Sequence, residues 1–152
     1  MDVAAALWGG IVGAIAMTLV YVGFIGLRVT RFDLLRFAGG FLGAERGIVY
    51  VYGVIVQVVL GALVGAGLAF ALDKLVGSAT YVGWSLLLGL GVGLLTLLLL
   101  PLLGRLNREV RMGTLRNPGL FGRAYGPATA LAVLVAFGVF GLWIGSVMLP
   151  VA

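Results

Sequence analysis

Away from its arginines, the chain holds few groups able to do chemistry. Its carboxylates are Asp2, Asp33, Glu45, Asp73 and Glu109, and all stand at the ends of long apolar runs or between them. Gln57 is the strongly polar side chain deep inside such a run. There is no Cys and no His. Thiol chemistry, disulfides, thiolate metal sites and imidazole ligands are therefore absent together. Proton relays and ion-coupled carriers need an ionisable group within the membrane, and no Asp or Glu lies there. A catalytic carboxylate pair, or a nucleophile beside a base, cannot be read from the remaining residues. The expectation is a non-catalytic protein with no metal. Glu45 beside Arg46, and Glu109 between Arg108 and Arg111, read as surface ion pairs.

The elements that must carry these residues follow from composition. Of 152 residues, 62% are apolar and only 10% charged. The mean hydropathy is +1.23. A soluble domain has roughly 45–50% apolar and about 25% charged residues. A chain of this size cannot hide so much apolar surface from water, so lipid must be its solvent. Crossing a bilayer takes about 20 apolar residues in a helix. Four runs of that kind are expected over residues 3–27, 47–72, 81–103 and 127–149, in one transmembrane domain covering 1–152. The first run is read as a retained span and not as a cleaved signal. It has Asp2 and no basic residue ahead of it, and it is too long for a signal core. The fold class expected is an all-α integral membrane four-helix bundle.

The formal charge of +5 comes from nine Arg and Lys74. Arg28, Arg31, Arg36 and Arg46 lie in connection 28–46, and Arg105, Arg108, Arg111, Arg116 and Arg123 in connection 104–126. Basic residues near span ends stay on the cytoplasmic side. That places both connections in the cytoplasm and both termini outside, in a multi-pass protein of the bacterial inner membrane. Within 28–46, Phe32, Leu35, Phe37, Phe41 and Leu42 alternate with charged residues. A short helix over 30–38 is expected to lie in the interface with its phenylalanines toward lipid. The spacing of Arg105, Arg108 and Arg111 puts them on one helical face. These arginines are expected to dock anionic lipid headgroups or an acidic partner. Nucleic acid is not an expected partner, because no soluble module presents them.

Two connecting segments look like copies: GFLGAERG from Gly40 and GLFGRAYG from Gly119, 79 residues apart. The same offset relates Gly10-x-x-x-Ala14 to Gly89-x-x-x-Gly93. A tandem duplication of a two-helix hairpin would produce this, as a parallel repeat. Small residues let helices approach closely where lipid removes the gain from burying leucine. The expected packing faces are Gly9 and Gly13, Gly61 and Gly65, Gly89 and Gly93, and Gly141 and Gly145. In the second span, Gly53, Gln57, Gly61, Gly65 and Ala69 form one ridge. An unpaired Gln57 amide would cost several kcal/mol in hydrocarbon. It is expected to bond a backbone carbonyl or a hydroxyl across an interface, with Thr18, Ser85 and Thr96 as candidates. Pro101 is expected to end or kink the third span and Pro127 to open the fourth.

The opening GGIVGAIAMT, Gly9 to Thr18, is similar to the first span of small fluoride channels, which also have four helices. That family carries a basic residue soon after the motif, an Asn in its second span and a phenylalanine–threonine box in its third. Here Met17-Thr18 follows, no span holds an Asn, and residues 81–103 lack Phe, so that match is rejected. The opening also resembles a loose group of uncharacterised small four-span bacterial membrane proteins. Their second span is patterned H-x-x-x-G, where this chain has Gln57-x-x-x-Gly61. The resemblance implies the two-hairpin layout and no known activity. The function expected first is a small structural or accessory subunit of a larger membrane assembly, contacting lipids and other subunits or itself. An oligomeric channel or uncoupled carrier for a small solute is the second expectation. A lipid- or pigment-binding protein resting on Gln57 and the arginines is the third. No cofactor is expected beyond bound lipid or, through Gln57, a pigment.

Overall fold

The computed structural model describes residues 3–43, 45, 47–75 and 81–147. Asp2, Arg46, the middle connection 76–80 and the end of the fourth expected span lie outside the described residues. The described chain forms α1 (Val3–Gly26), α2 (Leu34–Gly39), α3 (Ile48–Leu75), α4 (Tyr81–Leu106), α5 (Arg108–Arg111), a 3-10 turn (Leu120–Tyr125) and α6 (Thr129–Val147). No strand occurs among the described residues. α1, α3, α4 and α6 are long and apolar enough to cross a membrane. Lipid offers the backbone no hydrogen bonds, so long apolar runs must satisfy themselves, and a helix does so within one segment. Pro101 does not end α4, which continues to Leu106. Pro127 sits in the turn just ahead of α6.

The interfacial helix departs from expectation. Asp33 caps α2 by accepting from Arg36 N at 2.9 Å, so the helix starts at Leu34. Its phenylalanines turn into the protein and not toward lipid. Phe32 and Phe37 are buried, while Phe41 stays exposed. Close approach to α3 explains this. A Cβ on Gly39 would strike the Val49 carbonyl, and one on Gly53 would strike the Leu35 carbonyl. The two backbones therefore touch, and the aromatic side chains are carried inward. Phe32 packs on Phe37 at 5.2 Å and on Tyr125 at 5.1 Å between ring centroids.

Arg105, Arg108 and Arg111 do not share a helix face. α4 stops at Leu106, and Asn107 caps a separate short helix by accepting from Val110 N at 3.3 Å. The look-alike segments resemble each other at one end only. Their last glycines, Gly47 (φ 90°) and Gly126 (φ 119°), both take a left-handed backbone just before a long helix. Their first glycines differ: Gly40 has φ −63° and Gly119 has φ 66°.

Around the bundle, α3 packs on α1, α1 on α6, and α6 on α4, whereas α3 and α4 scarcely meet. The buried core runs along the middle of this open ring, through Ala14, Met17, Tyr21, Leu72, Leu97, Phe140 and Ile144. Both arginine-bearing connections lie at one end, here called the arginine pole.

Candidate functional site: a lateral cleft beneath a polar clasp

The position of every small residue on the long helices decides where the bundle closes. On α3, Gly61 and Gly65 face α1: a Cβ on Gly61 would strike Ala14, and one on Gly65 would strike the Gly10 backbone. Gly53 is taken by α2. On α4, Gly89 faces α6, 2.6 Å from the Phe137 carbonyl to a built Cβ, and Gly93 faces the Phe137 side chain at 2.9 Å. Gly141 and Gly145 of α6 meet Ser85 in return. Gly9 and Gly13 of α1 receive Val147 and Phe140 of α6, at 3.4 and 3.0 Å from built Cβ atoms. Of these glycines, only Gly61 also borders the seam between α3 and α4.

That seam holds a cavity of about 250 Å³. Val56, Leu60 and Val64 of α3 form one wall, and Val92, Thr96, Leu100 and Leu103 of α4 the other. Ala14, Met17, Phe137 and Phe140 form the back. Leu34, Phe37 and Phe41 cover the end nearest the arginine pole. No charged residue lines it.

Gln57 is 8% exposed and lines this cleft. It also lines a much smaller neighbouring cavity with Thr18, Tyr21 and Asp33. Its amide makes no hydrogen bond with any described residue. The expected bond to Thr18, Ser85 or Thr96 is absent for a local reason. Thr18 donates to Ala14 O (2.7 Å), Ser85 to Val82 O (2.9 Å) and Thr96 to Val92 O (2.8 Å). Each hydroxyl bonds a carbonyl on the preceding turn of its own helix. Close by, the buried Tyr21 hydroxyl has no partner among the described residues.

Above the cleft, the two connections are fastened to each other. Arg36 Nε donates to Glu109 Oε2 at 2.7 Å, and a second guanidinium nitrogen lies 2.6 Å from the same oxygen. The Glu109 side chain is only 3% exposed, against 32% for Arg36. The expected surface pairing of Glu109 with Arg108 and Arg111 is thus replaced by a sheltered pair with the other connection. Asn107 Nδ2 donates to Phe37 O at 2.6 Å, and Arg108 N donates to Gly40 O at 3.0 Å. Nearby, the Thr30 and Thr129 hydroxyls share a buried bond of 2.8 Å. Tyr50 donates to Asp33 Oδ2 at 2.8 Å, and Tyr125 to Arg116 O at 2.7 Å. Partial burial holds the Tyr125 phenol above its ordinary pKa. The clasp gave no sequence signal, because its partners stand about 70 residues apart: Arg36 with Glu109, and Phe37 with Asn107.

Arg28, Arg31, Arg105, Arg108, Arg111, Arg116 and Arg123 are exposed at the pole. No group of three or more His, Cys, Asp or Glu able to hold a metal occurs among the described residues. The arrangement can bind an apolar body. No protein family, curated protein or solved structure matches this chain.

Proposed function

We propose that this chain is a multi-pass inner-membrane protein that binds a membrane-dissolved ligand in the cleft between α3 and α4. The observation that carries the reading is an almost wholly apolar cleft of about 250 Å³ on the open seam, with no charged residue in its lining. A bound ligand would fill the volume. In this reading connections 28–46 and 104–126 face the cytoplasm, and the exposed arginines rest among anionic headgroups. Duplication of a hairpin fits the packing, since α1 meets α3 and α4 meets α6 through glycines in both halves. A solute channel has less support, because the glycines that would line a narrow path are covered by neighbouring helices.

The test is extraction in a mild detergent, native mass spectrometry of the intact protein, and solvent extraction of whatever it retains. One small amphiphile per chain, lost on the cleft-filling substitution Val92→Phe, is the expected result. A bare chain, or a ligand retained equally by Val92→Phe, refutes the reading. Service as a structural subunit of a larger assembly is the second reading, favoured by the exposed arginines beside the clasp. Reproducible co-purification of another membrane chain, lost on replacing those arginines, would support it.

A further inference from the structure

We infer that the cleft receives the uncharged aromatic body, about two rings in size, of a membrane-dissolved molecule; the inference rests on the cleft being a binding site. The closed seam of the same bundle shows what the open one lacks.

The offset of 79 residues that relates the two look-alike segments also relates the long helices. Shifted by it, α1 falls on α4, and α3 covers α6. The open seam between α3 and α4 is then the counterpart of the closed seam between α1 and α6. The walls correspond residue by residue. Val92, Thr96, Leu100 and Leu103, which line the cleft from α4, stand where α1 has Gly13, Met17, Tyr21 and Phe24.

Two aromatic side chains fill the closed seam. The rings of Phe140 and Trp143 converge on the hole at Gly13, at 3.0 and 3.3 Å from a built Cβ. In the open seam the counterpart of Gly13 is Val92, and those of Phe140 and Trp143 are Gly61 and Val64. All three of these residues line the cleft. The place of two rings is thus held by one glycine and one valine. The space left is about 250 Å³, and a cavity of about 150 Å³ holds one benzene ring.

The rest of the lining suits an aromatic occupant. Phe37, Phe41, Phe137 and Phe140 all border the cleft. At the end nearest the arginine pole, Phe37 and Phe41 meet edge to face, with centroids 5.5 Å apart and planes at 85°. A ring entering here finds other rings to stack on or to meet at an edge, and such pairs are favourable beyond the area they bury. A saturated chain gains the area alone. The lining is almost wholly apolar and holds no charged residue. A charge on the enclosed body would lose its hydration and meet no counter-charge. Any polar group that the molecule carries stays outside, in the lateral opening.

The experiment uses the full chain, methyl-labelled at Leu and Val, in detergent-free nanodiscs of dimyristoyl phosphatidylcholine. Three hydrocarbons of equal carbon number are titrated at known mole fraction in the bilayer: naphthalene, decalin and decane. The methyl resonances of Leu60, Val64 and Leu100 report on the cleft, and those of Leu19 and Leu63 on exposed surface outside it. Naphthalene is expected to half-saturate the cleft methyls at a mole fraction about tenfold below that of decane, with decalin close to decane. Phe41→Leu, at an exposed position, is expected to fold and to cut this preference about threefold. Val92→Phe, which supplies a ring from the protein itself, is expected to abolish the response. If decane or decalin matches naphthalene, or if Phe41→Leu keeps the full preference, the aromatic inference fails while the cleft stands. If no probe shifts the cleft methyls, if Leu19 and Leu63 respond at the same mole fractions, or if Val92→Phe leaves the naphthalene response intact, the cleft reading itself fails.

Discussion

The bundle has two seams between its hairpins, and they are built differently. Between α1 and α6, large side chains enter holes left by glycines: Phe140 over Gly13, and Ile144 with Val147 over Gly9. Phe140, Ile144 and Ala136 are all buried there. Between α3 and α4, Leu60 and Val64 face Val92 and Thr96 across a cavity. Here bulk meets bulk, and Leu60 remains largely exposed. A shortage of apolar residues does not explain the open seam, since α3 and α4 are both apolar enough to cross a membrane. In lipid the closing force is close backbone and side-chain packing. Closure therefore goes where the holes are used: the glycines of α3 and α4 that make close contact meet α2, α1 and α6, while Gly67, Gly83 and Gly91 face open space.

Adding bulk to each seam should break the comparison most strongly. Gly13→Leu drives a side chain into the Phe140 ring, already 3.0 Å from a built Cβ. Overpacking of this kind costs about 3 kcal/mol at the upper end of its range. Loss of stability is expected in reversible unfolding in mixed micelles. Val92→Phe adds the same four carbons, in a flatter and smaller form, to the open seam, where a cavity receives them. It should be neutral or stabilising by about 1 kcal/mol, as cavity filling commonly is. Equal losses from the two substitutions would mean that the seams do not differ.

The clasp at the arginine pole is the polar bridge between the two sides of the open seam. α2 lies on α3, and α5 follows α4, so the Arg36–Glu109 pair ties one wall to the other. Removing either partner has unequal consequences. Arg36→Ala strands a carboxylate that is almost wholly buried. A fully buried pair loses about 3–5 kcal/mol in that way. Because Arg36 is one-third exposed, about 2 kcal/mol is a better expectation. Glu109→Ala leaves an arginine free to turn into water, at about 1 kcal/mol. Spin labels replacing Leu60 and Leu95 would move apart in Arg36→Ala, while a pair across α1 and α6 would not. Widening of both seams would show that the clasp serves the whole bundle.

What could be read in the sequence follows this same division. The four long helices were legible because lipid imposes length and hydropathy on each span separately. The glycine positions were legible too, but not their partners. Nothing in Gly53 itself says that it meets α2 instead of a long helix. The pairing of Arg36 with Glu109 crosses most of the chain, and nearer arginines offered a simpler local choice. The inward turn of Phe32 and Phe37 depended on the approach of Gly39 to Val49. The cleft was illegible for a related reason: it is the volume left where the close-packing glycines of α3 and α4 have met other helices.

The smallest expected effect is the most direct test of the open seam. Gln57→Leu removes an amide that has no protein partner and replaces it with apolar atoms suited to the cleft wall. An unsatisfied buried polar group costs about 1–3 kcal/mol, and part of that cost is relieved where the group borders a cavity. Gln57→Leu should therefore raise stability by about 1 kcal/mol in ligand-free micelles. Thr18→Val, which removes a hydroxyl already bonded to Ala14 O, should change it little. A loss from Gln57→Leu without ligand would locate the partner on the other side. It would assign a bridging water to the small cavity shared with Tyr21 and Asp33, where it would also serve the Tyr21 hydroxyl.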